Sequence, residues 1–303
     1  MSGTQSRRRA VDAVLLMDKP SGITSHRAVQ MIRRLFNAVK AGHTGTLDPL
    51  ATGLLPVCLG EATKFSHLLL EADKGYLATI RLGMTTRTGD LEGEVTARRE
   101  TQVRQQEIEA VLEMFKGEML QTPPMYSAIK QGGQPLYKLA RAGQETPRVP
   151  RRIVISSLNL VFLEGDELTV RVCCSKGTYV RVLAEDIGRA LGCGACLSGL
   201  RREAVGGFTL SAGAVTLDHL EGLQQTERDA FLLPADAMVA SLPRLDLDAA
   251  ETRRLIRGQP VERPGAGAAG LARVYGPGES FLGVAEVTCP GRIVPKRLTA
   301  TGC

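Results

Sequence analysis

The most informative stretch of this 303-residue chain is Gly42-His43-Thr44-Gly45-Thr46-Leu47-Asp48-Pro49-Leu50-Ala51-Thr52-Gly53. Three glycines, small hydroxyl residues and one carboxylate within twelve positions predict a tight loop. Pro49 biases Asp48 away from helical backbone angles and stiffens its position. A fixed aspartate on a loop that a ligand can approach closely suits covalent catalysis, whereas physics alone favours the alternative of an Asp-Pro turn.

Regular elements are predicted on the N-terminal side of this loop. Residues 11–17 form an apolar run typical of a buried strand, and residues 19–22 form a turn. Thr24 or Ser25 can cap a helix whose apolar residues recur at helical spacing as far as Val39. This stripe is expected to face the core.

The segments after the loop also show clear periodicity. Residues 108–115 predict an amphipathic helix that ends before Gly117, and residues 153–163 and 167–174 alternate as two paired strands. A further helix opens at 177–178 and stops at Gly192. Near the C-terminus, a short helix and three strand-like runs predict a small β-barrel. Tyr179 and Arg181 fall in the first turn after a strand, a common position for site residues.

Composition restricts the class of protein. With 43% hydrophobic residues the chain can bury one large domain and a small one, and its net charge of +6 favours a polyanionic partner. No apolar run approaches the roughly 18 residues of a membrane span and no signal peptide is evident, so we expect a cytoplasmic protein. Seven cysteines argue against a disulfide framework. Cys193 and Cys196 have a metal-like or redox-like spacing, but without a second pair we expect buried thiols and no metal.

Most of the excess positive charge lies in residues 116–152, where seven basic residues oppose two acidic ones, a local net of 7 − 2 = +5. Prolines and the Gly132-Gly133 pair interrupt this stretch around one short helix at 136–142. Tyr126 and Tyr137 are interleaved with the charges. Residues 121–152 are therefore interpreted as an insert that closes over a phosphate backbone and stacks on bases, with a solvated linker as the alternative.

Further motifs carry a resemblance to a known family. They are DKPSGITS at 18–25, GEATK at 60–64, KGY at 74–76, SKGTYVR at 175–181 and LRR at 200–202. With the loop at 42–53 and in this order, they resemble the TruB-type bacterial tRNA pseudouridine synthases, which act on uridine 55 in the T-loop. The C-terminal segment resembles a PUA-type RNA-binding domain.

The resemblance implies an α+β fold with a mixed, largely antiparallel sheet and a small C-terminal β-barrel. It divides the chain into a disordered basic tail (1–10), a pseudouridine synthase catalytic domain (11–236) that holds the basic insert, and a PUA-like domain (243–303). It implies an isomerase that acts on tRNA as a monomer, without a cofactor and without a protein partner.

The resemblance also implies catalytic roles. Asp48 would be the nucleophile that attacks the target uridine, at C6 of the base or at C1′ of the sugar. Tyr76 would stack on the base and take the proton from C5, while Tyr179 would help to hold the base. Arg181 would pair with Asp48 and keep it ionised. For Arg181 considered alone, an ion pair on the helix surface with Glu185 is the commoner outcome.

Substrate-binding roles follow in the same way. His43 would pack under the T-loop where the flipped uridine leaves a gap, and Leu200 would close the pocket. Lys19, Lys64 and Arg202 would contact phosphates. Because the target uridine is stacked inside the T-loop, the enzyme must flip it out. Two other functions stay open: a non-catalytic RNA-binding or RNA-folding protein, and a guide-RNA-dependent synthase within a larger particle.

Overall fold

An eleven-stranded sheet forms the centre of the computed structural model, which describes residues 8–288 and 291–300. In spatial order its main path is β14 (Val215–Thr216), β1 (Ala13–Lys19), β3 (Thr52–Leu59), β12 (Ala195–Val205), β4 (Lys74–Leu82), β11 (Glu167–Cys174), β10 (Arg151–Glu164) and β7 (Gly117–Gln121). Three short strands flank it: β2 (Ala41–His43), β13 (Phe208–Thr209) and β15 (Leu232–Pro234). Along the path, only β1 with β14 and β3 with β12 are parallel, so the predicted largely antiparallel sheet is confirmed.

The helices and smaller elements surround this sheet. The helices of the described residues are α1 (Ser25–Leu35), α2 (Ser66–Leu70), α3 (Gln105–Met114), α4 (Leu136–Arg141), α5 (Val180–Ala190), α6 (Leu217–Glu221), α7 (Gln225–Asp229) and α8 (Ala249–Ile256). Short 3-10 helices lie at Gly60–Phe65, Ala235–Val239 and Pro277–Glu279. Two small hairpins pair β5 (Met84–Thr86) with β6 (Val95–Arg98), and β8 (Lys130–Gln131) with β9 (Gln134–Pro135).

Helix α1 illustrates how the sequence sets the boundaries of an element. Thr24 caps it as predicted, because the Thr24 hydroxyl accepts a hydrogen bond from the backbone N–H of Arg27. The helix ends at Leu35, and Asn37 adopts a left-handed backbone with φ of 49°. The prediction that Val39 lies on the buried stripe is wrong: Val39 follows this turn and is 54% exposed.

The sheet is buried on both faces. Along β1, Leu15 and Met17 pack into the main core beneath α1, α3 and α5, whereas Val14 and Leu16 point into a second core on the opposite face. This alternation follows from the two-residue repeat of a strand. Strand β3, which follows the loop at 44–51, is packed on both faces in the same way.

A second sheet of five strands occupies the C-terminal region. In spatial order its strands are β16 (Arg244–Asp246), β18 (Gly270–Tyr275), β19 (Phe281–Thr288), β20 (Arg292–Leu298) and β17 (Val261–Glu262). It contacts the main sheet's second core through Val284 and Phe281, whose ring lies 5.4 Å from that of Phe65. This is the small C-terminal β-structure that the sequence predicts.

The predicted basic tail at 1–10 falls mainly on residues 1–7, which lie outside the described residues. Of its remaining part, Arg9 donates to both carboxylate oxygens of Asp229, at 3.1 and 2.6 Å.

Candidate active site

The loop between β2 and β3 is fixed by backbone and side-chain hydrogen bonds around Asp48. The Ser25 hydroxyl donates to the Leu47 carbonyl at 3.0 Å and accepts from the Leu47 N–H at 2.8 Å. On the other side, the Pro49 carbonyl accepts from the Gly22 N–H at 2.8 Å. Since both neighbours of Asp48 are held, its carboxylate projects from a rigid support.

The end of this loop needs a glycine at position 53. Its φ is +101°, and a Cβ at this position would lie 2.3 Å from the Arg202 carbonyl oxygen. A side chain would therefore separate β3 from β12, which pair here in parallel.

Asp48 and Arg181 form the ion pair expected from the sequence. Arg181 Nε lies 3.0 Å from Asp48 Oδ2, and the Arg181 side chain is buried whereas that of Asp48 is 36% exposed. Arg181 also donates from Nη1 to the Thr88 carbonyl at 3.0 Å and from Nη2 to the Tyr126 carbonyl at 2.8 Å. The alternative of an exposed helix-surface pair with Glu185 is wrong, because Arg181 is buried and its nitrogens are already engaged.

Opposing influences act on the Asp48 carboxyl. Burial is the largest and raises the pKa of Asp48 above its ordinary value, while the Arg181 guanidinium counters part of that shift. A carboxylate that is poorly hydrated yet paired with a cation is suited to attack an electrophilic carbon.

Asp90 is a buried site residue that sequence reasoning missed. It is 3% exposed, its Oδ2 lies 3.6 Å from Arg181 Nη1, and its Oδ1 accepts from the Thr88 hydroxyl and from the Glu92 N–H. It lies in the turn Thr88-Gly89-Asp90-Leu91-Glu92-Gly93, whose composition predicts only a polar loop. Nothing in that pattern indicates that its aspartate faces inward.

Tyr76 and Leu200 lie on adjacent strands. In the pairing of β4 with β12, Tyr76 is opposite Arg202 and Ala78 is opposite Leu200. Tyr76 is 9% exposed and belongs to the same core as Leu47, and half-buried Leu200 packs against that core. Burial raises the pKa of the Tyr76 phenol, and the adjacent Arg202 guanidinium counters the shift.

Tyr179 is the residue that immediately precedes α5 and is half-buried. Burial raises the pKa of its phenol. Gln121, at the end of β7, accepts from the Tyr179 N–H and donates to the Tyr179 carbonyl. The sequence analysis did not single out Gln121, because a lone glutamine before a proline pair carries no recognisable pattern.

His43 closes β2 immediately before the loop. Its Nδ1 accepts a hydrogen bond from the Gly45 N–H at 3.2 Å, and burial lowers the pKa of its imidazole. Both observations favour a neutral ring with its proton on Nε2.

The prediction that Lys19 and Arg202 contact phosphates is wrong. Lys19 is fully buried, and its Nζ donates to the carbonyls of Pro20, Ile23 and Pro49. Arg202 is 1% exposed and donates to the carbonyls of Leu54 and Gly45. Because these cations satisfy carbonyls of the Asp48 loop and its surroundings, they stabilise the site from within.

Lys64 occupies a different setting. Its Nζ donates to the Leu298 carbonyl at 2.9 Å and pairs with Glu61 at 2.6 Å. Lys64 therefore links the 3-10 helix at Gly60–Phe65 to β20 of the C-terminal sheet. Part of its side chain stays exposed, and its contact with a phosphate stays a prediction.

Comparison with known proteins identifies the family. Family models described as TruB family pseudouridylate synthase (N terminal domain), tRNA pseudouridylate synthase B C-terminal domain, and Pseudouridine synthase II TruB, C-terminal, match residues 33–180, 181–240 and 243–299. A protein named tRNA pseudouridine synthase B from Aromatoleum aromaticum is 54% identical over 97% of this chain and 95% of its own length. Its namesake from Methylobacillus flagellatus is 52% identical over 96% of each. The chain belongs to the TruB family of pseudouridine synthases.

Solved structures agree with this assignment of the TruB fold. A chain in the crystal structure of a Cbf5-Nop10-Gar1 complex is similar, with a TM-score of 0.72 and 28% identity over 94% of this chain and 84% of that one. A chain in the structure of an H/ACA RNP bound to a substrate RNA containing 2′-deoxyuridine is also similar, with a TM-score of 0.71 and 25% identity. That match likewise covers 94% of this chain and 84% of the other.

Among the described residues of this TruB protein, no helix is both long and apolar enough to cross a bilayer.

Proposed function

We propose that this TruB protein isomerises uridine 55 in the T-loop of tRNA to pseudouridine, with Asp48 as the nucleophile. The observation that carries the proposal is the pair formed by Asp48 and Arg181, whose Nε and Oδ2 atoms are 3.0 Å apart. A partly exposed carboxylate held by a buried cation suits a covalent step. A protein that only binds RNA has no use for it, because phosphates repel a carboxylate.

The reaction is an internal transfer. Asp48 attacks the uridine, at C6 of the base or at C1′ of the sugar, and the bond between N1 and C1′ breaks. The base turns over, C5 bonds to C1′ and loses its proton, N1 gains a proton, and the aspartyl adduct is released. Substrate and product are isomers, so the chemistry consumes no cofactor.

Tyr76 and Tyr179 act on the base in this proposal. Tyr76 stacks on the flipped uracil and, as a phenolate stabilised by the adjacent Arg202 guanidinium, accepts the C5 proton and becomes the neutral phenol. Tyr179 borders the ring from the start of α5. Leu200, half-buried on β12, closes the pocket over the base. These side chains offset the cost of unstacking the uridine, a few kcal/mol.

His43 and the basic insert hold the rest of the substrate. A neutral, half-buried His43 can fill the space that the uridine leaves inside the T-loop without carrying a buried charge. In the insert, Lys130, Lys138 and Arg141 are exposed and form no ion pair within the described part of the chain, so their charges are available to phosphates. Lys64 is proposed as a further phosphate contact.

The proposal assigns the activity to this chain alone, as a monomer acting in the cytoplasm. The similar chains come from a Cbf5-Nop10-Gar1 complex and from an H/ACA RNP, which keeps guide-dependent action within a larger particle as the alternative. The relatives at 52 to 54% identity carry the name tRNA pseudouridine synthase B, and this favours direct action on tRNA.

Tritium release from a tRNA transcript labelled at uridine C5 tests the proposal, because the C5 proton leaves only if the base is rearranged. The purified protein should release one tritium per tRNA, and a transcript with cytidine at position 55 should release none. Release that depends on added guide RNA or protein partners would contradict the proposal, as would tight tRNA binding without any release.

A further inference from the structure

Gln121 joins the root of the basic insert to the backbone of Tyr179. It is the last residue of β7 and the first residue of the insert, and is 4% exposed. Its Oε1 accepts from the Tyr179 N–H at 2.7 Å, and its Nε2 donates to the Tyr179 carbonyl at 3.2 Å. One amide therefore fixes both backbone polar groups of the residue that immediately precedes α5.

This clamp acts on the residue in the N-cap position of α5. Tyr179 supplies no side-chain cap to α5, and its carbonyl also accepts the first helical hydrogen bond, from Leu183 N–H at 3.1 Å. The orientation of the first turn of α5 therefore depends on Gln121. Arg181, the partner of Asp48, is in that turn, two residues after Tyr179.

The insert reaches the same turn by a second route. The Tyr126 carbonyl accepts from Arg181 Nη2 at 2.8 Å, and the Pro123 carbonyl accepts from Arg148 Nη1 at 3.0 Å. The second contact ties the returning segment of the insert to its outgoing segment. The start of the insert is thus bonded to the start of α5 at two points, by Gln121 to Tyr179 and by Tyr126 to Arg181.

We propose that Gln121 is a positioning residue for the reaction. It touches no reacting atom; through the Tyr179 backbone it sets the orientation of Tyr179 and Arg181 and so of Asp48. A misplacement of about 1 Å at a reacting group can cost roughly 100-fold in rate, so a loss of this clamp is measurable. The inference rests on the proposed function, because the orientation matters only if Asp48 attacks the uridine.

The chemistry of the amide supplies a specific test. A methionine has a similar length but neither accepts nor donates strongly, so Gln121→Met leaves two buried backbone groups without partners. In Gln121→Glu, the ionised carboxylate accepts from the Tyr179 N–H but repels the Tyr179 carbonyl. The protonated acid restores the donor, and burial raises the pKa of a carboxyl toward the assay range.

The experiment measures single-turnover tritium release at saturating tRNA from pH 6 to pH 8. Gln121→Glu should approach the wild-type rate at pH 6 and fall at least about tenfold below it at pH 8, with tRNA affinity unchanged within about threefold. Gln121→Met should be slow at both pH values. Gln102→Glu is the matched control, because Gln102 is exposed and forms no side-chain hydrogen bond in the described structure; its rate relative to wild type should not vary with pH.

Three results would overturn the inference. The first is a rate of Gln121→Glu relative to wild type that is constant with pH; the second is a full rate for Gln121→Met. The third is a Gln121→Glu variant that is unfolded by circular dichroism at both pH values, which would make Gln121 a residue of the fold only. If the wild type itself releases no tritium, the proposed function fails instead, and the two failures are distinguishable.

Discussion

Arg181 lies between two carboxylates, with its Nε 3.0 Å from Asp48 Oδ2 and its Nη1 3.6 Å from Asp90 Oδ2. Asp90 is buried, whereas Asp48 is partly exposed, so the guanidinium is anchored on its inner side and presents Nε to the nucleophile. Asp90 raises the pKa of Asp48 and Arg181 lowers it. Burial is the largest influence and also raises this pKa, so Arg181 offsets part of the combined shift and favours the ionised nucleophile.

Arg181→Gln should slow single-turnover isomerisation and move the acid limb of its pH profile upward. The substitution removes the cation that lowers the pKa of Asp48, while burial and Asp90, which raise it, remain. Since only ionised Asp48 attacks, activity is lost as pH falls through a pKa that is now higher. Single-turnover rates between pH 5 and pH 8.5 measure this shift. Arg189→Gln, on the exposed side of α5, is the control, and an acid limb that stays in place in Arg181→Gln would contradict the role of the pair.

Tyr76→Phe should bind tRNA as well as the wild type but lose turnover. The ring keeps its place on β4 and can still stack, whereas the phenolate oxygen that accepts the C5 proton is gone. A quench-flow measurement of tritium release, together with filter binding, separates the two effects. Unchanged single-turnover kinetics would mean that Tyr76 only stacks on the base and that water or another base removes the C5 proton.

Lys19→Met tests the buried ammonium beneath the Asp48 loop. Burial lowers the pKa of Lys19 from 10.5 to about 8, so between these values the unfolded chain binds more protons than the folded one. The stability of the wild type relative to Lys19→Met should therefore rise, by about 1–2 kcal/mol, from pH 8 to pH 10. Urea unfolding at the two pH values measures the difference, with exposed Lys40→Met as control. A difference that does not change with pH would show that Lys19 ionises normally.

Replacement of Lys130, Lys138 and Arg141 together by glutamine should weaken tRNA binding without changing the rate at saturation. The logarithm of the association constant falls linearly with the logarithm of the salt concentration, and three lost phosphate contacts should reduce the magnitude of this slope by about 2. Equilibrium binding between 50 and 300 mM salt measures the slope. Substitution of Arg98 and Arg104, which are exposed and lie outside the insert, should leave the slope unchanged. If these substitutions changed the slope as much as those in the insert, the insert would have no special part in binding.

Local patterns were sufficient to predict much of the fold. The turn of glycines and Pro49 around Asp48, the cap at Thr24 and the hairpin at 165–166 depend on neighbouring residues, and all are present in the structure. Val39 shows the limit, since its spacing continues the apolar stripe of α1 by coincidence after the chain has turned at Asn37.

The site was only partly predictable because burial depends on distant segments. Lys19 donates a hydrogen bond to the Pro49 carbonyl, thirty residues away, and Arg202 donates one to the Gly45 carbonyl, so neither cation is available to RNA. Asp90 and Gln121 likewise acquire their roles from contacts with α5. A lysine, aspartate or glutamine with no local pattern gives no sign of such partners in the sequence.

Asp48→Asn tests the nucleophile most directly, because it keeps the size of the side chain and removes the charge. The variant should fold and bind tRNA within about tenfold of the wild type, with a small loss of stability because Arg181 loses an anionic partner. Asp218→Asn, at an exposed position on α6, is the matched control and should retain full activity.

The decisive measurement is tritium release by freshly purified Asp48→Asn from a saturating tRNA transcript labelled at uridine C5, followed for hours. We predict no release beyond the trace that deamidation of asparagine can supply, since the loss of a covalent nucleophile costs several orders of magnitude in rate. If Asp48 were only a turn residue, asparagine would serve nearly as well. Release at a substantial fraction of the wild-type rate would contradict the assignment of Asp48 as the nucleophile.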